Sequence, residues 1–137
     1  MLVHSTRHQF LAPQIARFIV VGGLGFVVDL GLTLALARFF GLEADAARLI
    51  AIAFAVSFTF ILNRRVTFAS SDPAVFTEAL RYCVVSLAGA GVNFACYQAT
   101  LAQAGHSAPA LALAVVIGSG AAMAANFTGM RLFAFAR

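Results

Sequence analysis

Charged side chains are scarce in this chain of 137 residues: Asp, Glu, Lys and Arg make up 10% of it, whereas hydrophobic residues make up 62%. The mean hydropathy is +0.95. A typical soluble domain carries about 25% charged residues. The scarcity of charge therefore excludes an ordinary soluble domain and predicts an integral membrane protein.

Cysteine is also rare, with Cys83 and Cys96 as its two occurrences. They fall on one apolar stretch and would lie about 20 Å apart along a helix, which excludes a disulfide within that helix. The sequence has no paired carboxylates, no nucleophile with an attendant base and no cluster of metal ligands, since His4 and His8 lie in the N-terminal segment and His106 is alone. We therefore expect no enzymatic activity, no cofactor and no metal site.

Long apolar stretches dominate what is present. A helix needs about 20 apolar residues to cross the hydrocarbon core of a bilayer. Four stretches reach this length, at about 17–38, 46–63, 81–103 and 108–130. The predicted fold class is all-α integral membrane, with four transmembrane helices.

An internal repeat connects these helices. Residues 17–29 match 81–93 at an offset of 64, with Arg17 opposite Arg81, and residues 63–68 match 130–135 at an offset of 67. We predict a single membrane domain over residues 1–137 that contains two copies of a two-helix hairpin, repeat 1 at about 14–68 and repeat 2 at about 78–135. Because each copy contains an even number of spans, both enter from the same side as a parallel repeat.

Lysine is absent, so all 9 basic residues are arginine, and their placement predicts the orientation. Positively charged residues in short loops stay on the cytoplasmic side. One side of the predicted membrane carries Arg7, Arg17, Arg64, Arg65, Arg81, Arg131 and Arg137, and the other carries Arg38 and Arg48. Both termini are therefore expected in the cytoplasm, and this topology explains the pI of about 10.1 without a nucleic-acid partner.

Asp29 lies about 18 Å beyond Arg17 along the first predicted helix, near the middle of the bilayer. A charge at that depth costs about 2.5–3.5 kcal/mol on insertion scales, so such residues usually face a bundle interior or a wet cavity. Asp29 and its counterpart Asn93 are candidates for an intramembrane polar path. The alternative is a structural hydrogen bond between helices, and the sequence leaves both open.

The glycines allow two interpretations. The segment Gly22-Gly23-Leu24-Gly25 is similar to the start of a dinucleotide-binding loop, but no strand precedes it and its surroundings are too apolar. Small residues instead let helices approach closely in lipid. We expect close helix packing at Gly25, Gly89, Gly91, Gly118 and Gly120.

Arginine and asparagine cluster at the predicted cytoplasmic ends of the helices. The candidates for phosphate binding are Arg17, Asn63, Arg64, Arg65, Arg81, Asn126 and Arg131. The planar guanidinium group suits phosphate oxygens. Arginines that only set the topology, or that bind anionic lipid head groups, would show the same pattern.

On these residues the chain resembles the GtrA-like family, small four-span membrane proteins linked to polyprenyl-phosphate sugars. The marks are Arg17-Phe18 before Val21-Gly22-Gly23, then Asp29, Asn63-Arg64-Arg65 and Phe68, and in the second half Arg81-Tyr82, Asn93, Asn126 and Arg131. The chain departs from the pattern at Thr59, where an asparagine is common, and at Met130 and Leu132, where polar and basic residues are expected.

The resemblance implies translocation, or flipping, of a polyprenyl-phosphate-linked sugar across the bacterial cytoplasmic (inner) membrane for cell-wall or surface polysaccharide synthesis. The alternative is an accessory subunit that recruits or stabilises a membrane glycosyltransferase, and a further alternative is a small four-span exporter. Four spans leave little room for a complete path, so we expect a homo-oligomer, with a dimer favoured, or a glycosyltransferase partner. Membrane lipids are the remaining expected partners.

Overall fold

The computed structural model describes residues 11–136, apart from the side chains of Ala44, Asp45 and Arg48. His4, Arg7, His8 and Arg137 therefore lie outside the described residues. The helices are α1 (Leu11–Phe39), α2 (Ala44–Leu62), α3 (Val75–Ala104) and α4 (Ala108–Gly129). A π-helical turn follows α2 at Asn63–Thr67, and another follows α4 at Met130–Ala134. All four helices are long and apolar enough to span a membrane, which confirms the predicted fold class.

The chain divides into two compact units between Ser71 and Asp72. In the first hairpin, α1 packs against α2 and the turn Asn63–Thr67. In the second hairpin, α3 packs against α4 and the turn Met130–Ala134. Each unit is therefore a helical hairpin whose second helix ends in a π-helical turn. The parallel orientation of the two copies stays a prediction.

Two helices begin earlier than hydropathy predicts. α1 begins at Leu11 and α3 at Val75, so Arg17 and Arg81 lie in the second turn of their helices and not at the start. Pro13 and Glu78 make these first turns less apolar. Proline is tolerated in the first turn of a helix, and a carboxylate is favoured near its N-terminus. The predicted connection 64–80 is correspondingly shorter, with its helix-free part at 68–74.

The connection inside each hairpin is short and turns on a glycine. Gly41 has φ +65° between α1 and α2, and Gly105 has φ +79° between α3 and α4, a region that glycine enters without strain. The oxygen of Ser107 then accepts a hydrogen bond from the backbone amide of Ala110 at 3.4 Å. This N-cap satisfies one of the free amides at the start of α4.

The π-helical turns occupy corresponding places in the two hairpins. The amide of Phe68 donates to the carbonyl of Asn63, and the amide of Phe135 donates to that of Met130, each at 2.8 Å. The ring of Phe68 lies edge-on to Phe18, with centroids 6.4 Å apart, and Phe135 is likewise 6.1 Å from Tyr82. Such pairs contribute about 0.5–1.5 kcal/mol beyond their burial. An aromatic contact thus fixes each π-helical turn to the first helix of its own hairpin.

The buried residues of α1 and α3 follow the 64-residue offset. Phe18, Val21 and Gly25 are buried in α1, and Tyr82, Val85 and Gly89 are buried at the matching places in α3, where Glu78 and Leu101 are buried as well. Their spacing of three and four residues defines one face of a helix. Residues that match at the 64-residue offset therefore form the face of α1 or α3 that packs against the second helix of the same hairpin.

Close helix packing occurs at three of the five predicted glycines. A Cβ at Gly25 would overlap Cγ2 of Thr59, and one at Gly89 would overlap Oδ1 of Asn126. A Cβ at Gly118 would lie 2.8 Å from the backbone oxygen of Asn93. At Gly91 and Gly120 an added Cβ meets no described atom within 4 Å, so these two glycines make no close contact within their hairpin. The physical reason is orientation, since only the face that meets the partner helix needs a small residue.

The contact between Gly25 and Thr59 predicts a compensating pair of substitutions. Gly25→Ala is expected to lower the free energy of unfolding by about 1 kcal/mol, because the new methyl group meets Cγ2 of a β-branched side chain. Thr59→Ser removes that methyl group and keeps the hydroxyl that donates to Ala55 at 2.9 Å. The double variant should therefore recover most of the loss.

Unfolding in mixed micelles, followed by circular dichroism as the denaturing detergent increases, measures this difference. Gly23→Ala is the matched control, because its Cβ would meet nothing within 4 Å. Additive effects of Gly25→Ala and Thr59→Ser would contradict the proposed contact.

Candidate functional site

Two side chains of α1 cap the π-helical turn of the first hairpin. Nη1 of Arg17 donates to the carbonyl of Val66 at 3.4 Å, and Nε2 of Gln14 donates to that of Thr67 at 3.2 Å. Carbonyls at the end of a helix lack partners within it, and a cation near that end is stabilising. Arg17 is thereby brought beside the segment that carries Asn63, Arg64 and Arg65.

Those three residues differ in their exposure. Asn63 is only 2% exposed, and its Oδ1 accepts a hydrogen bond from the hydroxyl of Thr67 at 2.8 Å. Arg64 is half-buried and Arg65 is exposed. The turn therefore holds an amide inside the hairpin and carries arginine toward its surface. The phosphate-binding role of all three stays a prediction.

The second hairpin repeats this arrangement with different contacts. The guanidinium carbon of Arg81 lies 5.4 Å from the centroid of the Phe133 ring, a cation–π contact. Phe133 corresponds to Val66 at the 67-residue offset. Both Arg17 and Arg81 thus reach the π-helical turn of their own hairpin, and the half-buried Arg131 belongs to the turn that Arg81 contacts.

The two asparagines of the second hairpin lie on its packing faces. Asn126 is on α4 against Gly89, and Asn93 is on α3 against Gly118. Oδ1 of Asn126 is buried and, among the described residues, has no hydrogen-bond partner. Gly89 lies eight residues beyond Arg81, which is about 12 Å along α3. Asn126 is therefore placed deeper in its hairpin than Arg131.

Asp29 lies in an open-sided cavity of about 210 Å³ between α1 and α2. Among its lining residues are Gly25, Phe26, Asp29, Ile52, Ala55 and Thr59. None of the residues that line it is basic. Oδ1 of Asp29 is buried, and the Thr59 hydroxyl lies within hydrogen-bonding distance of the carbonyls of Ala55 and Val56 at 2.9 and 3.1 Å. The cavity thus combines apolar walls with oxygen atoms of two side chains.

Sequence reasoning did not predict four of the residues at these places as site residues, although it noted Thr59 as a departure from the family pattern. Thr59 and Phe26 line the cavity, Gln14 caps the first π-helical turn, and Glu78 is 4% exposed on α3. The offsets contain a signal for three of them, since Thr59 corresponds to Asn126 and Gln14 corresponds to Glu78. Phe26 has no comparable signal, because an aromatic residue in an apolar span is ordinary.

A family model described as GtrA/DPMS, transmembrane domain, matches residues 17–135. The match contains both π-helical turns, the Asp29 cavity and every arginine and asparagine predicted as a site residue. A domain of this kind fits a membrane protein that takes part in processes of polyprenyl-phosphate sugars. With four membrane-spanning helices and this match over most of its length, the chain is a multi-pass membrane protein that belongs to the GtrA/DPMS transmembrane-domain family.

Proposed function

We propose that this protein moves a polyprenyl-phosphate-linked sugar across the bacterial cytoplasmic membrane for cell-wall or surface polysaccharide synthesis. The observation that supports this most directly is the arginine pair Arg64-Arg65 on a π-helical turn at the end of a largely apolar hairpin. π-Helical turns are rare and often occur at functional sites. The family match supports the choice of a polyprenyl-phosphate sugar as the substrate class.

The surface beside each π-helical turn suits an amphiphile with an anionic head. Val66 is 45% exposed beside Arg64 and Arg65, and Leu132 is 69% exposed beside Arg131. A guanidinium group would hold the phosphate, while neighbouring apolar side chains contact the start of the prenyl chain. Arg64 is the principal phosphate ligand in this proposal, Arg131 is its counterpart in the second hairpin, and Arg17 supports the first turn.

The remaining parts of the proposal concern the path and the partners. Asp29 and Asn93 are polar groups that the head group would pass, and Asp29 either accepts hydrogen bonds from the sugar or exchanges a proton. The protein does no covalent chemistry on the lipid. Both termini lie in the cytoplasm, and a second copy of the chain or a membrane glycosyltransferase completes the path. An accessory subunit for that glycosyltransferase is the competing function.

Arg64→Ala tests the docking role. Hydrogen bonds to charged groups contribute about 1.5–3 kcal/mol, so we expect the dissociation constant for a polyprenyl-phosphate-linked hexose to rise about tenfold or more. Purified protein in liposomes would be assayed for lipid binding and for the appearance of the sugar on the opposite side of the bilayer. Arg38→Ala is the matched control, because it removes the same charge from the last turn of α1, away from the first π-helical turn.

Three outcomes separate the readings. Binding and movement that Arg64→Ala reduces and Arg38→Ala leaves intact would support translocation with docking at the first π-helical turn. Binding that is unchanged in Arg64→Ala would contradict the docking site. Binding by the wild-type protein without movement would favour the accessory subunit, which should then copurify with a glycosyltransferase.

A further inference from the structure

The two hairpins differ most at the level of Asp29 and Asn93. In the second hairpin, the amide side chains of Asn126 and Asn93 contact glycine backbone, so polar groups fill the interface of α3 and α4. In the first hairpin, the corresponding residues Thr59 and Asp29 border an open cavity. The two hairpins thus carry different polar residues at this level, and the cavity of the first hairpin lies beside a carboxyl group.

The oxygen atoms of this cavity favour a ligand that donates hydrogen bonds. The carboxyl oxygens of Asp29 accept hydrogen bonds. The Thr59 hydroxyl directs its hydrogen to the carbonyl of Ala55 or Val56, which leaves its oxygen as an acceptor. Backbone amides within α1 and α2 are occupied by their own helices. Hydroxyl groups satisfy such a site, whereas a phosphate oxygen would meet other acceptors.

The size and shape of the cavity narrow the choice of ligand further. The cavity of about 210 Å³ is smaller than the roughly 300 Å³ at which pockets for small molecules begin. It therefore suits one sugar ring better than an oligosaccharide. Phe26, 65% exposed, supplies an apolar wall on which the C–H face of a sugar ring can pack. Apolar walls with a few placed polar groups are the usual construction of a small-molecule site.

Distance along the helices places Asp29 at the end of the cavity that is far from the arginines. Asp29 is about 18 Å from Arg17 along α1, whereas Thr59 is about 7.5 Å before Arg64 along α2. The cavity therefore extends from the middle of the first hairpin toward its π-helical turn.

We propose that the first hairpin contains a binding site for the uncharged sugar ring of the substrate, formed by Asp29, Thr59 and Phe26. This inference rests on the proposed function, because it takes the sugar lipid as the ligand. Asp29 accepts hydrogen bonds from the ring hydroxyls, and Phe26 packs against the apolar face of the ring. Thr59 adds an acceptor and sets the spacing between α1 and α2 through its contact with Gly25.

Protection of a cysteine in the cavity tests occupancy without requiring transport. Val56 lines the cavity, so Val56→Cys would be made with Cys83→Ala and Cys96→Ala and labelled with a water-soluble thiol reagent. The probes are a polyprenyl phosphate that carries one hexose and the same polyprenyl phosphate without sugar. We expect the first probe to slow labelling about tenfold and the second to leave it unchanged. Gly23→Cys, outside the cavity, should be insensitive to both.

Two further substitutions, each added to the Val56→Cys protein, identify the groups responsible. Asp29→Asn introduces the side chain that the second hairpin has at Asn93 and should reduce the protection. Gly22→Leu should abolish it, because Gly22 lines the cavity and an added Cβ there meets nothing within 4 Å. Gly23→Leu is its matched control, with the same open space at a position that does not line the cavity.

The outcomes divide as follows. Protection by the hexose lipid alone, lost in Gly22→Leu, supports the sugar site. Equal protection by both lipids, or by neither, overturns it. Movement of the hexose lipid across liposomes is measured separately in the same variants. Protection without movement would contradict translocation but support the sugar site. Movement without protection would support translocation but contradict the sugar site.

Discussion

Gly118→Ala is expected to lower the free energy of unfolding by about 1–3 kcal/mol, the usual cost of overpacking a tight interface. Its new Cβ would lie 2.8 Å from the backbone oxygen of Asn93. A side chain can rotate away from such a contact, but a carbonyl inside α3 moves only with its helix. The interface of α3 and α4 would therefore have to widen.

Gly120→Ala provides the control on the same helix. An added Cβ there meets no described atom within 4 Å, so the substitution keeps the helix-forming advantage of alanine, up to about 1 kcal/mol. Detergent-induced unfolding followed by circular dichroism should rank Gly120→Ala at or above the wild type and Gly118→Ala clearly below it. Equal stabilities of the two variants would show that α3 and α4 do not meet at Gly118.

Asn63→Met is expected to lower the free energy of unfolding by about 1–3 kcal/mol, because it removes the acceptor of a hydrogen bond whose two side chains are 2% and 4% exposed. The Thr67 hydroxyl then loses its side-chain partner in a buried place. Adding Thr67→Ala removes the hydroxyl as well, and this double variant should recover most of the loss.

The second hairpin carries this double replacement naturally. Met130 and Ala134, which correspond to Asn63 and Thr67, are 2% and 1% exposed and occupy the same buried places in their π-helical turn. A double-mutant cycle on Asn63 and Thr67 measures the coupling between the two side chains. A cycle that sums to zero would mean that the hydrogen bond adds nothing to the stability of the turn.

Hydropathy predicted the four helices, and the internal offset predicted the correspondence of Arg17 with Arg81. Both features can be read directly from the order of residues along the chain. The π-helical turns were beyond such reasoning. Whether an amide bonds four or five residues back depends on contacts with another helix, here Phe18 on Phe68 and Tyr82 on Phe135. The sequence also did not predict which face of α4 meets α3. Gly118 and Gly120 therefore cannot be distinguished until the facing helix is known.

The candidate site shows the same division. Sequence identified Asp29 from its depth in an apolar span, but the cavity beside it depends on which side chains of α2 face α1. Arg64 and Asn63 are neighbours in sequence, yet Asn63 is buried against Thr67 and Arg64 is only half-buried. Successive side chains of a helix point in different directions, so which of two neighbours is buried depends on how the helix is oriented against its partner, and composition does not encode that orientation.

The second helices of the two hairpins differ in length, with 22 residues in α4 and 19 in α2, although each ends in a π-helical turn of 5 residues. Three more residues lengthen a helix by about 4.5 Å. Asn126 still meets Gly89 as Thr59 meets Gly25, so the added length lies toward the connection at Gly105. As the acyl chains of the bilayer become shorter, α4 therefore exceeds the thickness of the hydrocarbon core before α2 does. Lipid chain length thus affects the two hairpins unequally.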